Sequence, residues 1–206
     1  LMLAHNHVMK KFGYPTKSTE EIRNLVGQGA GAMLGRSIWG QAKKEFGKVQ
    51  DEKIKKEMIN DFVEFYGKNI VNESTLIKGV KEFLIWCKEQ KISMAVCTNK
   101  QEHLAIDLLK KIGIYDFFEY VAGHNTFEYC KPDPRHLTSV VEILGGDIKK
   151  TLMIGDSETD ANAAKNAGMP VILLEDGYTE KNTTEIYHNH LVKDFIGIEK
   201  IVSKYL

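Results

Sequence analysis

Asp156 and Asp160 are the pair whose type and spacing point most directly to chemistry. They lie in residues 151–168, TLMIGDSETDANAAKNAG. The apolar run 151–154 has strand length, Gly155-Asp156-Ser157 interrupts it, and 158–167 reads as helix, with Gly168 placed to end that helix in a left-handed conformation. A strand that stops at Gly-Asp and turns into a helix puts its carboxylate at the carboxyl edge of a sheet, where ligands bind in open α/β proteins. Asp160 follows one helical turn later, so both carboxylates can face one crevice. Two acids there suit a hard cation such as Mg²⁺, which takes oxygen ligands and keeps several waters. The same residues also read as an Asp-Ser helix cap with one solvated acid, and this stretch alone leaves both readings open.

Two more points could carry chemistry. Thr98 closes the apolar run Ala95-Val96-Cys97 and is followed by Asn99 and Lys100. A threonine at a strand's carboxyl end can donate its hydroxyl to a phosphate oxygen, as can neighbouring backbone N–H groups; Thr-Asn is also ordinary turn chemistry. Lys131 stands in Cys130-Lys131-Pro132-Asp133-Pro134, where two prolines stiffen the loop before a helix. A rigidly placed ammonium near carboxylates makes a phosphate clamp; a solvated surface lysine is the alternative.

The elements that must position these residues fall into two halves. Nearly all of residues 1 to about 69 reads as short helices: Leu1, Ala4, Val8 and Phe12 repeat at helical spacing up to Gly13-Tyr14-Pro15, Ser18 and Glu21 form a capping box, the Gly-rich run 27–31 breaks that helix before 32–39, and Ile54, Met58, Phe62, Phe65 and Tyr66 make a last amphipathic stripe. From Gly79 the pattern alternates: helix 80–89, strand 92–97, helix 104–112, strand 120–122, helix 134–144, then the stretch above, strand 171–174, a short edge strand at 191–192 and helix 198–204. That alternation predicts an α/β fold with a Rossmann-like parallel sheet and right-handed crossovers. The domain boundaries expected are 1–72 for the helical part and 73–206 for the α/β part.

Composition narrows the class further. A hydrophobic share of 43% with 27% charged residues is ordinary for a globular protein. The 28 basic and 28 acidic residues cancel, so no global field argues for nucleic acid or an anionic membrane. No apolar run is long enough to span a bilayer. Cys87, Cys97 and Cys130 are unpatterned, which argues against a disulfide framework and a zinc site and for a reducing, cytoplasmic setting. His5-Asn6-His7 and His188-Asn189-His190 place two histidines two apart, on different faces of a helix, and are expected at the surface.

Thr98, Lys131 and then Asp156 with Asp160, each following a strand, stand in the order of motifs two, three and four of the haloacid-dehalogenase-like hydrolases. Val26-Gly27-Gln28-Gly29-Ala30, Cys97-Thr98-Asn99-Lys100, Lys131-Pro132-Asp133-Pro134, Gly155-Asp156-Ser157 and Asp176-Gly177-Tyr178 together resemble bacterial phosphoglycolate phosphatases, over essentially the whole chain. The resemblance implies a helical cap closing over a Rossmann-like core, with a hinge near Asn72-Glu73-Ser74. It implies phosphoryl transfer to an aspartate and hydrolysis of the aspartyl-phosphate, which splits one difficult step into two. It implies Mg²⁺ on Asp156 with Asp160 supporting the metal shell, Thr98 with Asn99 on the phosphoryl oxygens, and Lys131 on the nucleophile and phosphate. Arg36, in the Gly-rich cap segment, would meet the carboxylate of 2-phosphoglycolate, the small phosphorylated metabolite first in line as substrate. Pyrophosphatase and phosphomutase activities share the same motifs.

One departure stands out. The family's Asp-x-Asp-Gly-Thr, which supplies the nucleophile and the general acid/base at the end of the first strand, does not occur here, and no Asp-x-Asp occurs anywhere in the 206 residues. That strand is the central one of the family's sheet, so its absence would leave unpaired backbone groups on both flanking strands. Leu1-Met2-Leu3-Ala4 resembles the first cap helix, which gives the expectation of an incomplete record of a longer protein. A non-catalytic binder of a phosphate ligand or partner that keeps the fold is the other reading.

Overall fold

The computed structural model describes residues 1–23, 25, 29–40, 49–69, 75–177, 179 and 181–206. Val26-Gly27-Gln28, Tyr178 and the expected hinge at Asn72-Glu73-Ser74 lie outside the described residues. The chain divides into two compact units, Leu1–Asn72 and Glu73–Leu206.

The first unit holds helices α1 (Met2–Lys11), α2 (Thr19–Arg23), α3 (Ala30–Trp39) and α4 (Val49–Lys68). Ala4, Val8 and Met9 line one face of α1 and pack with Ile22, Met33, Met58 and Phe62. The chain leaves α1 at Gly13, with Tyr14 N–H returning to the Met9 carbonyl at 2.8 Å. The capping box at the start of α2 forms as the sequence predicts: Glu21 N–H donates to Ser18 Oγ at 3.2 Å, and Ser18 N–H to Glu21 Oε2 at 2.8 Å. The expected surface position of His5 is corrected. It is fully buried, with Nε2 2.9 Å from Ser37 Oγ, because α1 packs on more than one neighbour and its polar face also meets protein. His7 stacks on Phe65 at 4.1 Å between centroids.

The second unit alternates as predicted: α5 (Val80–Glu89), β1 (Ala95–Cys97), α6 (Glu102–Lys111), β2 (Tyr120–Ala122), α7 (Arg135–Ile143), β3 (Met153–Gly155), α8 (Glu158–Ala167), β4 (Val171–Leu174), β5 (His190–Val192) and α9 (Glu199–Val202). β1 begins three residues later than its apolar run. Lys91, at φ 57°, closes α5, and Ile92 N–H turns back to the Cys87 carbonyl at 2.9 Å, so 92–94 serves the helix end rather than the ladder.

Every strand pair is parallel, in two ladders. β1 pairs with β2 with Val96 opposite Val121, and β3 pairs with β4 and β4 with β5, with Ile154 opposite Ile172 and Leu173 opposite Leu191. The run Val171-Ile172-Leu173-Leu174 is buried at every position, as a strand covered on both faces requires, whereas β1 and β3 are half-buried throughout. Helices α7 and α8 cover β4 through Leu137, Val141, Ala161 and Ala164, and Cys97 and Met153 pack on the edge of that cluster.

Parallel pairing sends alternate residues' amide groups toward the partner strand. Thr98 N–H points to β2, bonding Ala122 at 2.9 Å, and Met153 N–H to β4's side, bonding Pro170 at 2.9 Å. The amides of Ala95, Cys97 and Ile154 therefore face away from the ladders. They are expected to exchange with deuterium well before those of Ile172 and Leu173; equal protection would contradict the two-ladder arrangement.

Candidate functional site

Parallel strands end on one edge of their sheet, and Thr98 and Asp156 follow β1 and β3 directly. Thr98 extends the β1–β2 ladder by one hydrogen bond, and its Oγ1 accepts the Lys100 N–H at 3.1 Å. The Lys100 carbonyl accepts His124 N–H at 2.8 Å, so the turn 98–100 is fixed from the β2 side. Asn99 Nδ2 donates to the Lys131 carbonyl at 2.8 Å, which joins this turn to the Lys131 loop. The Lys131-Pro132 peptide is cis.

Lys131 is buried, not a surface lysine, at 7% exposure. Its Nζ donates to the Cys97 carbonyl and, at 2.6 Å, to Asp160 Oδ1. The other carboxylate oxygen, Asp160 Oδ2, accepts from Asp156 N–H at 3.0 Å, Ser157 N–H at 3.2 Å and Ser157 Oγ at 2.9 Å. Ser157 and Asp160 thereby form a capping box on α8, with Asp160 N–H donating to Ser157 Oγ at 3.3 Å. Gly155 is what lets Asp160 lie against the strand end: a Cβ at 155 would sit 2.5 Å from the Asp160 Cβ and 2.7 Å from its Oδ2. Gly177 plays the same part for the loop leaving β4, since a Cβ there would fall 1.7 Å from the Asp156 carbonyl oxygen.

The electrostatics follow from this packing. Burial works to raise the Asp160 carboxyl, but the Lys131 charge, its hydrogen bond and the N–H donors outweigh it and hold Asp160 below the usual carboxylate range. Burial pushes the Lys100 ammonium down to about 8. His136, in the first turn of α7, is fully buried with Phe127 edge-on at 5.8 Å; burial first and the Lys131 charge second push its imidazolium down to about 4. Cys97 is raised to about 11 by burial, so it remains a thiol and no nucleophile.

The structure brings Thr98, Asn99, Lys131, Asp156 and Asp160 together at one edge of the second unit. Both oxygens of Asp160 are engaged by Lys131 and by the Asp156–Ser157 turn, so Asp160 holds the site in place. Arg36 belongs to the first unit, where Nη2 donates to the Leu25 carbonyl. Sequence reasoning missed Lys100 and His136. A lysine after Thr-Asn and a histidine after Pro-Arg carry no local signal of burial, which comes only from the loops folded over them. Among the described residues, no group of three or more His, Cys, Asp or Glu converges on one point, and no helix is long and apolar enough to cross a membrane.

A family model described as haloacid dehalogenase-like hydrolase matches residues 1–174. The chain is 32% identical over 209 residues to the phosphoglycolate phosphatase of Agrobacterium fabrum, covering 99% of this chain and 88% of that protein. It is 32% identical over 200 residues to the phosphoglycolate phosphatase of Caulobacter vibrioides, covering 97% and 82%. The crystal structure of a "predicted phosphoglycolate phosphatase" from Haemophilus somnus superposes with a TM-score of 0.87 at 30% identity, over 97% of this chain and 89% of that one. A β-phosphoglucomutase from Clostridium difficile shares the fold, with a TM-score of 0.75 at 22% identity over 98% and 88%.

Two predictions follow from the site's packing. Replacing one member of a buried ion pair leaves the other charge unpaired, so Lys131→Met is expected to cost about 3–5 kcal/mol in urea unfolding. Asp160→Asn in that background is expected to recover part of the loss; additive losses would show that the pair is not coupled. An unfolded histidine takes its proton near pH 6.5, before the buried His136 does, so lowering the pH from there toward 4 favours the unfolded chain. His136→Leu is expected to flatten the stability curve between those values, and a slope like that of the wild type would show that His136 does not set it.

Proposed function

The chain belongs to the haloacid dehalogenase-like hydrolase family, and on that footing we propose that it forms the phosphate-binding site of a Mg²⁺-dependent phosphomonoester hydrolase, with 2-phosphoglycolate as substrate. The observation that carries this reading is the Lys131 ammonium, buried between the Cys97 carbonyl and Asp160 beside Thr98. Relatives 30–32% identical over most of their length and named phosphoglycolate phosphatase support the substrate class.

Each residue's part follows from where it stands. The Thr98 hydroxyl, with Asn99 beside it, orients the phosphoryl oxygens. Lys131 stabilises the charge that builds there in the transition state, and because its ammonium is already held in place, no reorganisation is needed at the moment of reaction. Asp160 keeps Lys131 in position and keeps the 155–157 turn closed. Asp156 offers a hard oxygen donor at the sheet edge, which fits Mg²⁺ completed by water and substrate oxygens. When bound, the cation screens the substrate's charge against an anionic nucleophile. Arg36 would meet the substrate's carboxylate bidentately. The metabolite is a soluble anion, and a cytoplasmic setting suits the three free cysteines.

The attacking aspartate of the family's route is not among these residues, since the 206 contain no Asp-x-Asp. That same fact favours a second reading, a fold-retaining protein that binds phosphate without turnover. Release of inorganic phosphate from 2-phosphoglycolate with Mg²⁺ separates the two. The catalytic reading expects none from the 206 residues alone and turnover once an aspartate-bearing strand is joined to them; continued inactivity of the joined protein would leave the binding reading. In that joined protein Arg36→Ala is expected to raise KM for 2-phosphoglycolate, and unchanged kinetics would remove Arg36 from the site.

A further inference from the structure

Helix α8 buries Ala161, Ala163 and Ala164 in the core, and Glu158, Asn162 and Lys165 follow one another along another side of it at i, i+4 and i+7. These three form one wall of an open cavity of about 440 Å³; Glu185, Tyr187 and His188 form the other, next to the buried Ile186. That volume is in the range of small-molecule sites, roughly 300–1,000 Å³. The second wall is fixed by its own hydrogen bonds. Thr183 Oγ1 donates to the Glu175 carbonyl at 3.2 Å, Ile186 N–H to the Thr183 carbonyl at 3.2 Å, and His188 Nδ1–H to the Ile186 carbonyl at 2.7 Å.

Charge is divided between the two ends of this cavity. At the start of α8 Glu158 pairs with Lys181. The hydrogen bond and charge of Glu158 raise the Lys181 ammonium above its ordinary range, and Glu185 adds to them, so two acids share one base there. At the other end the Lys165 ammonium lies 4.9 Å from the centroid of the Tyr187 ring and has no carboxylate partner among the described residues. Glutamate and lysine one turn apart neutralise each other on a helix; Glu158 and Lys165 are two turns apart, roughly 10 Å along the axis, and do not. Asn162 stands between them, half-buried, with its side-chain amide unbonded among the described residues. A simple ion can meet one end of this arrangement, whereas a molecule carrying both charges meets both.

We propose that this cavity is a binding site for a small zwitterion of the ω-amino acid class, with its ammonium between Glu158 and Glu185 and its carboxylate on Lys165 and Asn162. The site shares no residue with the Thr98–Lys131 edge and does not depend on the phosphatase reading. It adjoins that edge through α8, since Glu158 directly follows Ser157, the helix cap that Asp160 completes.

An NMR titration that follows the amide signals of the 206-residue chain tests this, with 5-aminopentanoate as the probe and pentanoate and pentylammonium as single-charge controls. The probe is expected to shift the amides of 158–165 and 185–188 to saturation. Each control is expected to bind at least about fivefold more weakly, the scale of one exposed ion pair. Lys165→Met is expected to reduce the probe to the level of pentylammonium. Lys181→Met releases Glu158 and is expected to tighten the probe about two- to fivefold, a gain that misfolding cannot produce. Both lysines are exposed, and unshifted signals elsewhere show that the variants are folded. Absence of a saturable shift at these amides overturns the proposal. Equal binding of the probe and either control also overturns it, leaving an ion site only. So does unchanged binding in Lys165→Met, or weaker binding in Lys181→Met.

Discussion

The second unit turns on one buried ion pair, Lys131 with Asp160. Taking two charges out of water costs several kcal/mol per ion, and their attraction offsets this only where the remaining donors and acceptors are also satisfied. Here they are satisfied largely by main chain. Lys131 reaches the carbonyl that ends β1, and Asp160 receives the two N–H groups that follow β3 together with the Ser157 hydroxyl. The pair is therefore held by the ends of two strands in two different ladders. Gly155 belongs to the same constraint, since any side chain there would occupy the space of the Asp160 carboxylate.

That arrangement explains why two acids one turn apart take different parts. Asp160 lies on α8 directly over the 155–157 turn, where its carboxylate does for the helix start what a capping side chain does and also neutralises Lys131. Asp156 contributes its amide to the same network, at the end of β3. The result is a lysine whose ammonium is held in place, with a neutral imidazole, His136, behind it rather than another cation. A dianionic phosphoryl group bound there, as proposed, would meet donors that are already oriented, which is the condition under which electrostatic stabilisation is most effective.

Much of this was legible in the residues. The apolar run at 171–174 gave a strand, Ser18 with Glu21 gave a helix start, and Gly168 adopts the left-handed φ of 74° expected at a helix end. Thr98 and Asp156 could be placed at strand ends, and Lys131 in a stiff loop before a helix, because strand length and turn residues are local signals. The length of β1 was not local, because Lys91 and Ile92 are claimed by the end of α5. The burial of His5 was not local either, for the 1–12 pattern gives helix α1 but not the neighbour that covers its polar side. The partner of Asp160 lies 29 residues away along the chain, and only the folded loops bring it within reach.

The division of the strands into two ladders gives the ion pair a further importance. Strands in one continuous sheet are held in register by main-chain hydrogen bonds, and the positions of their ends are then set by the ladder itself. β1 and β3 share no such bonds among the described residues. What relates the end of β1 to the end of β3 is apolar packing of Cys97 and Met153 on the cluster beneath α7 and α8, and the Lys131 bridge above it. Apolar packing is non-directional and tolerates small shifts, whereas a buried, hydrogen-bonded ammonium does not. The distance between Thr98 and Asp156, on which any common action on one phosphoryl group depends, is accordingly fixed in large part by a side chain. The residue that would stabilise the transition state is also the residue that holds the two sides of the site in register.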